Sequence, residues 1–249
     1  MTRGSRIKSV NSIRISADNP AVACPELAAL LPAGIAAADL HQVASARMLL
    51  ADEAQCNNQW SQKRWQDFTA GRVCARRALQ QFNLADVPLR AGTDGLPIWP
   101  PGVTGCITHT HGYAAAVVGP LTRVRSLGVD SEVIAAVNEE VWPSICTPAE
   151  QQALYLETPQ SREQRAALIF AAKEAFYKCQ YLLTREWIEF GEVTVAIRGS
   201  LSLSGEFEIR PARALLIERQ IQTPLWGRYR IHSPFITAVM AAPAIEPNG

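Results

Sequence analysis

The sequence predicts an α+β fold. Helical and extended patterns occur in both halves of the 249-residue chain, and they do not alternate in a strict strand–helix–strand rhythm. Hydrophobic residues make up 48% of the chain, enough apolar surface for a packed core. The length is large for one domain and small for two extensive ones, and no repeat or low-complexity block divides it.

The first fifty-odd residues are rich in Ala and Pro and only weakly periodic. A helix is predicted over Ser61–Leu79, where Trp65, Phe68, Arg72, Ala75 and Leu79 recur at three- and four-residue spacing. Arg64, Arg72, Arg76 and Arg77 load that helix with positive charge. A Gly/Pro-rich loop follows over Arg90–Gly105. The second part of CITHTHGYAAAVVG reads as a buried strand, and Val124–Val133 as another. Thr147, with Pro148 and Glu150 after it, marks a capped helix start. Ser161 and Gln164 form a second capping pattern, opening a long helix through REQRAALIFAAKEAFYKCQYLL. Strands are predicted in VTVAIR and GRYRIHSPFITAVM near the end.

Composition narrows the function. A formal charge of +1 lacks the basic excess expected of a protein bound to bulk nucleic acid. The six cysteines, at 24, 56, 74, 106, 146 and 179, form no CxxC pair, so they read as buried thiols in a reducing cytoplasm rather than zinc or redox ligands. The N-terminus has no apolar signal core, and the uncharged stretch Ile98–Thr122 is too rich in proline and glycine for a membrane span. The expectation is a cytoplasmic protein without a membrane span.

Two segments carry chemistry. In LGVDSEV, strand alternation sends Asp130 and Glu132 to one face, roughly 7 Å apart, and Ser131 to the other. Like charges so placed need a cation or basic groups between them. In FAAKEAFYKCQY, helical spacing puts Phe170, Glu174, Tyr177 and Lys178 on nearly one stripe, so Glu174 is partly desolvated. Singly, each has a plain reading: a solvent-facing strand edge and a Glu174–Lys178 surface ion pair. Together, three carboxylates suit one hard cation, and Mg²⁺ shares its shell with phosphates and water. The arginine-rich helix offers positive charge to a phosphate substrate. A metal-dependent nuclease or phosphatase is the alternative on these residues.

GVDSE followed by FAAKEAFYK resembles the paired signature of the 4′-phosphopantetheinyl transferases of the surfactin and enterobactin type. FTAGRVCARRAL, GLPIWPPGVTGCITHTHGY and CTPAE are similar to further segments of the enterobactin branch, in the same order. The resemblance runs from about Lys63 to Tyr181. It implies two similar α+β halves with pseudo-two-fold symmetry and the active site in the cleft between them, here residues 1–122 and 123–249. It implies transfer of phosphopantetheine from coenzyme A to a serine of an apo carrier protein, with release of 3′,5′-ADP, by a monomer. By the same resemblance, Asp130, Glu132 and Glu174 would hold Mg²⁺. Lys178 would stabilise phosphate or leaving-group charge. Glu150, Glu174 or a metal-bound water would take the serine proton. Thr108, His109, Thr110, Lys173, Arg64, Arg72 and Arg76 would bind the nucleotide and its phosphates. Arg162, Arg165 and Arg185 are candidate contacts for an acidic carrier.

Two departures from the family pattern stand out. Asp94 occupies the loop position where many relatives carry a lysine for the 3′-phosphate. Cys106 replaces the usual serine before the His-Thr element, with a weaker hydrogen-bond donor.

Overall fold

A computed structural model describes residues 24–41, 44–55, 60–84, 87–211 and 225–245. It contains two antiparallel sheets, each packed under one main helix. After a short helix α1 (Pro25–Ala28), strand β1 (Ala36–Leu40) leads to helix α2 (Gln62–Gln80). Strands β2 (Val103–Thr110) and β3 (Tyr113–Pro120) form a hairpin, and the first sheet has the order β1-β3-β2. Strand β4 (Val124–Val133) opens the second half. Helices α3 (Trp142–Ile145), α4 (Pro148–Tyr155) and α5 (Pro159–Thr184) follow, then β5 (Val193–Ile197), β6 (Ser204–Pro211), β7 (Leu225–His232) and β8 (Phe235–Pro243). The second sheet has the order β4-β8-β7-β6-β5.

The expected α+β architecture is present, with all strand pairs antiparallel. Helix α2 starts within a residue of its expected bound, and Ser61 proves to be its cap: the Ser61 side chain accepts from the Arg64 amide at 3.2 Å. The Thr147 capping box forms as read, and β4 has the expected bounds. Two expectations change. The loop ends at Gly102, because Val103–Thr110 pairs with β3; strand alternation there is hidden among Thr, His and Cys. Helix α5 is capped by Thr158 with Pro159 in its first turn, three residues before the Ser161 pattern.

Three clusters of buried apolar residues fill the fold. One lies under α2 and includes Cys74, Leu79, Ala116 and Val118. A second lies under α5 and includes Leu168, Phe176, Phe207 and Tyr229. The third joins the halves through Ala115, Val117, Leu127, Val129 and Val239. The five described cysteines are buried and free; Cys56 lies outside the described residues. Two close approaches set the helices on the sheets. A Cβ on Gly128 would collide with the Ala175 carbonyl oxygen, so glycine lets α5 press onto β4. A Cβ on Gly71 would lie 2.6 Å from the Ile107 side chain, so α2 also packs closely on β2.

Candidate active site

The two approaches bring β2, β4 and α5 together. Even-numbered β2 side chains face β4: Cys106 Sγ accepts from the Val129 amide at 3.4 Å, and Thr108 Oγ1 donates to Asp130 Oδ1 at 3.0 Å. From α5, Lys178 Nζ donates to the same Asp130 oxygen at 2.6 Å and to the Val129 carbonyl at 3.4 Å. Lys178 therefore reaches across to β4 rather than back to Glu174, and the surface ion pair is not what forms. Burial opposes its charge most strongly, but the charge and hydrogen bond of Asp130 together with the acidic groups of Cys106 and Glu174 hold the ammonium above its ordinary range.

Asp130 is buried, and its second oxygen, Oδ2, meets no fixed donor; the Glu132 carboxyl can donate to Asp130 only when it is itself protonated. An orphaned carboxylate oxygen in such a place is costly unless something else meets it. Glu132 and Glu174 stand beside it. Burial first, and then the Asp130 charge, push the Glu132 carboxyl up to about 8 and raise Glu174 as well. Among the described residues no three His, Cys, Asp or Glu side chains are gathered into a ready-made metal cage. The set still fits Mg²⁺, which is commonly held by one or two carboxylates and completed by phosphate oxygens and water. The orphaned oxygen and the mutual repulsion are both relieved by a cation.

A cavity of about 390 Å³ adjoins this cluster between the two halves. Arg64, Asp67, Phe68 and Arg72 of α2 form one wall, Thr108 and His109 of β2 the floor, and Tyr177, Lys178 and Tyr181 of α5 the other wall. Gly95, Leu96 and Trp99 from the loop close over it. Arg72 is stacked over Phe68 at 4.2 Å and its Nε donates to the Leu89 carbonyl at 2.7 Å, which fixes its orientation. Arg64, in the first turn, lies 5.3 Å from the centroid of the Trp60 ring. His109 points to the α2 side of β2, with Nδ1 3.9 Å from Asp67 Oδ2. Burial lowers its pKa, with Asp67 opposing. The cavity thus has aromatic walls, two arginines and a lysine; Asp130, Glu132 and Glu174 do not line it, but Thr108 and Lys178, which both bond Asp130, do. That combination suits an aromatic, multiply phosphorylated ligand met by a divalent cation.

The match to known proteins is in keeping with this chemistry. Residues 52–119 match the 4′-phosphopantetheinyl transferase N-terminal domain, and residues 126–231 match the 4′-phosphopantetheinyl transferase superfamily. The chain is 36% identical over 220 residues to 4′-phosphopantetheinyl transferase Npt of Nocardia iowensis, covering 85% of this chain and 97% of that protein. The chain belongs to the 4′-phosphopantetheinyl transferase family. It is also 33% identical over 189 residues to the transferase PptT of Mycobacterium tuberculosis, covering 74% and 83% of the two chains. Enterobactin synthase component D of Salmonella typhi is 30% identical over 188 residues, covering 73% and 75%. Enzymes of this family transfer phosphopantetheine from coenzyme A to carrier proteins. Membership sets aside the nuclease or phosphatase alternative.

Not every residue singled out in the sequence joins the transferase's cavity. Lys173 points to the other side of α5, where Nζ donates to Glu150 Oε2 at 2.7 Å and to the carbonyls of Ile145 and Phe190 at 2.8 and 3.0 Å. Its three donors are used. Glu150 accepts from the Thr147 amide and the Val195 amide, both at 2.8 Å, as well as from Lys173. The pair is a buried staple between α4, α5 and β5, with neither group at the carboxylate cluster. Glu150, expected as a base, and Lys173, expected as a phosphate ligand, are thus engaged with each other and with backbone groups instead. Arg76 is likewise turned away, ion-paired with buried Glu53 and donating to the Met48 carbonyl. Thr110, at the hairpin end opposite Tyr113, does not line the cavity. Arg162, Arg165 and Arg185 pair within the chain, with Glu139, Glu157 and Asp94.

Sequence reasoning missed Asp67, Tyr177 and Tyr181 as cavity residues. Their signal was present: Asp67 lies three residues from Arg64, and Tyr181 seven from Glu174, on the helix stripes already read. Asp94 forms a 3.1 Å pair with Arg185 near the cavity mouth, tying the loop after α2 to the end of α5. Only the fold brings those two together.

Proposed function

We propose that this transferase moves phosphopantetheine by in-line displacement at the β-phosphate of coenzyme A. The serine hydroxyl of an apo carrier protein attacks that phosphorus, the bond to the α-phosphate oxygen breaks, and 3′,5′-ADP leaves. Asp130, Glu132 and Glu174 would hold Mg²⁺, which when bound neutralises the pyrophosphate and orients it for attack. Arg64, Arg72 and His109 bind the nucleotide and its phosphates. Thr108 fixes the rotamer of Asp130. Lys178 offsets the charge that develops on the departing phosphate. Glu174 would take the serine proton.

The observation that carries this reading is the buried oxygen of Asp130 that meets no fixed donor. Lys178, which bonds the other oxygen of that carboxylate, lines the arginine-bearing cavity, and the Asp130 charge raises both Glu132 and Glu174. The remaining parts of the proposal are a division near residues 122 and 123, a monomeric state and a cytoplasmic location. No helix among the described residues is long and apolar enough to cross a membrane. Fatty-acid, polyketide and nonribosomal-peptide carriers, siderophore carriers among them, are all candidate partners. Mass spectrometry of apo carriers incubated with enzyme, coenzyme A and Mg²⁺ tests the reaction. One added phosphopantetheine per carrier is expected. Equal modification in excess chelator would remove the metal from the account, and no modification of any carrier would remove the reaction.

A further inference from the structure

The strand that carries the carboxylates is gripped from its opposite face. Ser131 lies between Asp130 and Glu132 with its side chain on the far side of β4, where its Oγ is 2.7 Å from Thr237 Oγ1. Thr237 is the register partner of Ser131 on β8, and both are almost fully buried. Thr237 Oγ1 also lies 2.8 Å from His232 Nε2, and the Tyr113 ring packs 5.3 Å from that of His232. On the near side, the Ser131 amide donates to Thr108 Oγ1 at 3.2 Å, the same hydroxyl that donates to Asp130 at 3.0 Å. An unbroken path therefore runs from His232 through Thr237 and Ser131 to Thr108 and Asp130. It starts in a separate polar cavity of about 400 Å³, behind the active strand.

We propose that Thr237 and His232 are positioning residues for transfer, holding the β4 carboxylates in register from behind. This rests on the functional reading above. A threonine hydroxyl has a single proton, so of its two partners here it can donate to only one. With neutral His232 accepting at Nε2, Thr237 donates to it and accepts from Ser131. Protonated His232 donates instead, and Thr237 must turn its proton toward Ser131. The groups facing His232 are Cys24, which caps α1, Glu26 of α1, Asp39 of β1, His41, Tyr113 of β3 and Arg230 of β7. Burial first, and then His41, keep His232 below its ordinary pKa, which favours the neutral ring; its Nδ1–H tautomer is the one that accepts at Nε2.

The test compares Thr237→Val, which keeps shape and removes the hydroxyl, with Thr237→Ser, which restores it. Turnover and calorimetric affinity for Mg²⁺ alone should each fall about tenfold in Thr237→Val, with KM for coenzyme A unchanged. Thr237→Ser should recover both to within about twofold. His232→Gln, which keeps a hydrogen-bonding group without titrating, should flatten the acid limb of the pH–rate profile. Should Thr237→Val fail to fold, Ser131→Ala serves the same comparison. Wild-type turnover and Mg²⁺ affinity in Thr237→Val overturn the relay, as does a Thr237→Ser variant no better than Thr237→Val. Asp130→Ala separates the two levels. If it is inactive while Thr237→Val is normal, only the relay fails; if both are fully active, the functional reading fails with it.

Discussion

Helix α5 carries two lysines that each bind a buried carboxylate, and the pairs have opposite characters. Lys173 and Lys178 are five residues apart, about 140° around the helix axis, so they face different surroundings. Lys173 meets Glu150 and two carbonyls, while Glu150 takes two backbone amides besides; every strong donor and acceptor there is used. Lys178 meets only one oxygen of Asp130; the other meets no fixed donor, and two further carboxyls beside it are pushed toward their neutral forms. A satisfied buried ion pair is architecture. A buried pair with an orphaned oxygen and like charges next to it is a site arranged for something absent from the chain itself.

The largest effect that would sharpen the contrast is on turnover. Lys178→Met should lower transfer roughly a hundredfold or more, because it removes a preorganised positive charge from the phosphate. Carrier modification rates under saturating coenzyme A check it, and an unchanged rate would place Lys178 with the architecture.

Breaking the other pair should be felt in stability. Lys173→Met leaves the Glu150 charge buried without its partner and should cost about 3–5 kcal/mol. Thermal melts would show it, with the rate per folded molecule kept. A melt within a degree of the parent would contradict the staple.

The next difference is in protons. Glu132 is held near 8 and Glu174 is also raised, so at pH 7 the cluster retains protons that a divalent cation must displace. Mg²⁺ binding should release protons, and apparent affinity should rise with pH between about 6 and 8. Calorimetry in two buffers of different ionisation enthalpy measures this; buffer-independent heat would contradict it.

The smallest effect is at His232. Its folded-state pKa is lowered, so below about pH 6.5 the unfolded chain binds more protons than the folded one. Stability should therefore be complete above that pH and decline as pH falls, less steeply in His232→Gln. Denaturant midpoints at pH 5.5 and 7.5 decide it.

Much of this contrast was legible in the sequence, and its limits have a physical cause. The Thr147 cap and the shared face of Asp130 and Glu132 follow from short-range rules, and both are present. The adjacent residues Lys173 and Glu174 read as one motif, yet successive helix positions are about 100° apart, and only Glu174 faces the strand. Arg76 shares a stripe with Arg72 in sequence, but Glu53, from a weakly patterned segment, draws it away. Strand β2 escaped notice because its alternation is between two packed surfaces, α2 and β4, rather than between core and water. The Ser131–Thr237–His232 path depends on strand register across more than a hundred residues, which local pattern does not encode.

The most direct measurement sets the two carboxylates side by side as near-isosteric amides. Single-turnover carrier modification would be followed for Asp130→Asn and Glu150→Gln, each corrected for its folded fraction. The account predicts a loss of roughly a hundredfold or more in Asp130→Asn and a rate within about twofold of the parent in Glu150→Gln. A normal rate in Asp130→Asn, or a comparable collapse in Glu150→Gln, would contradict it.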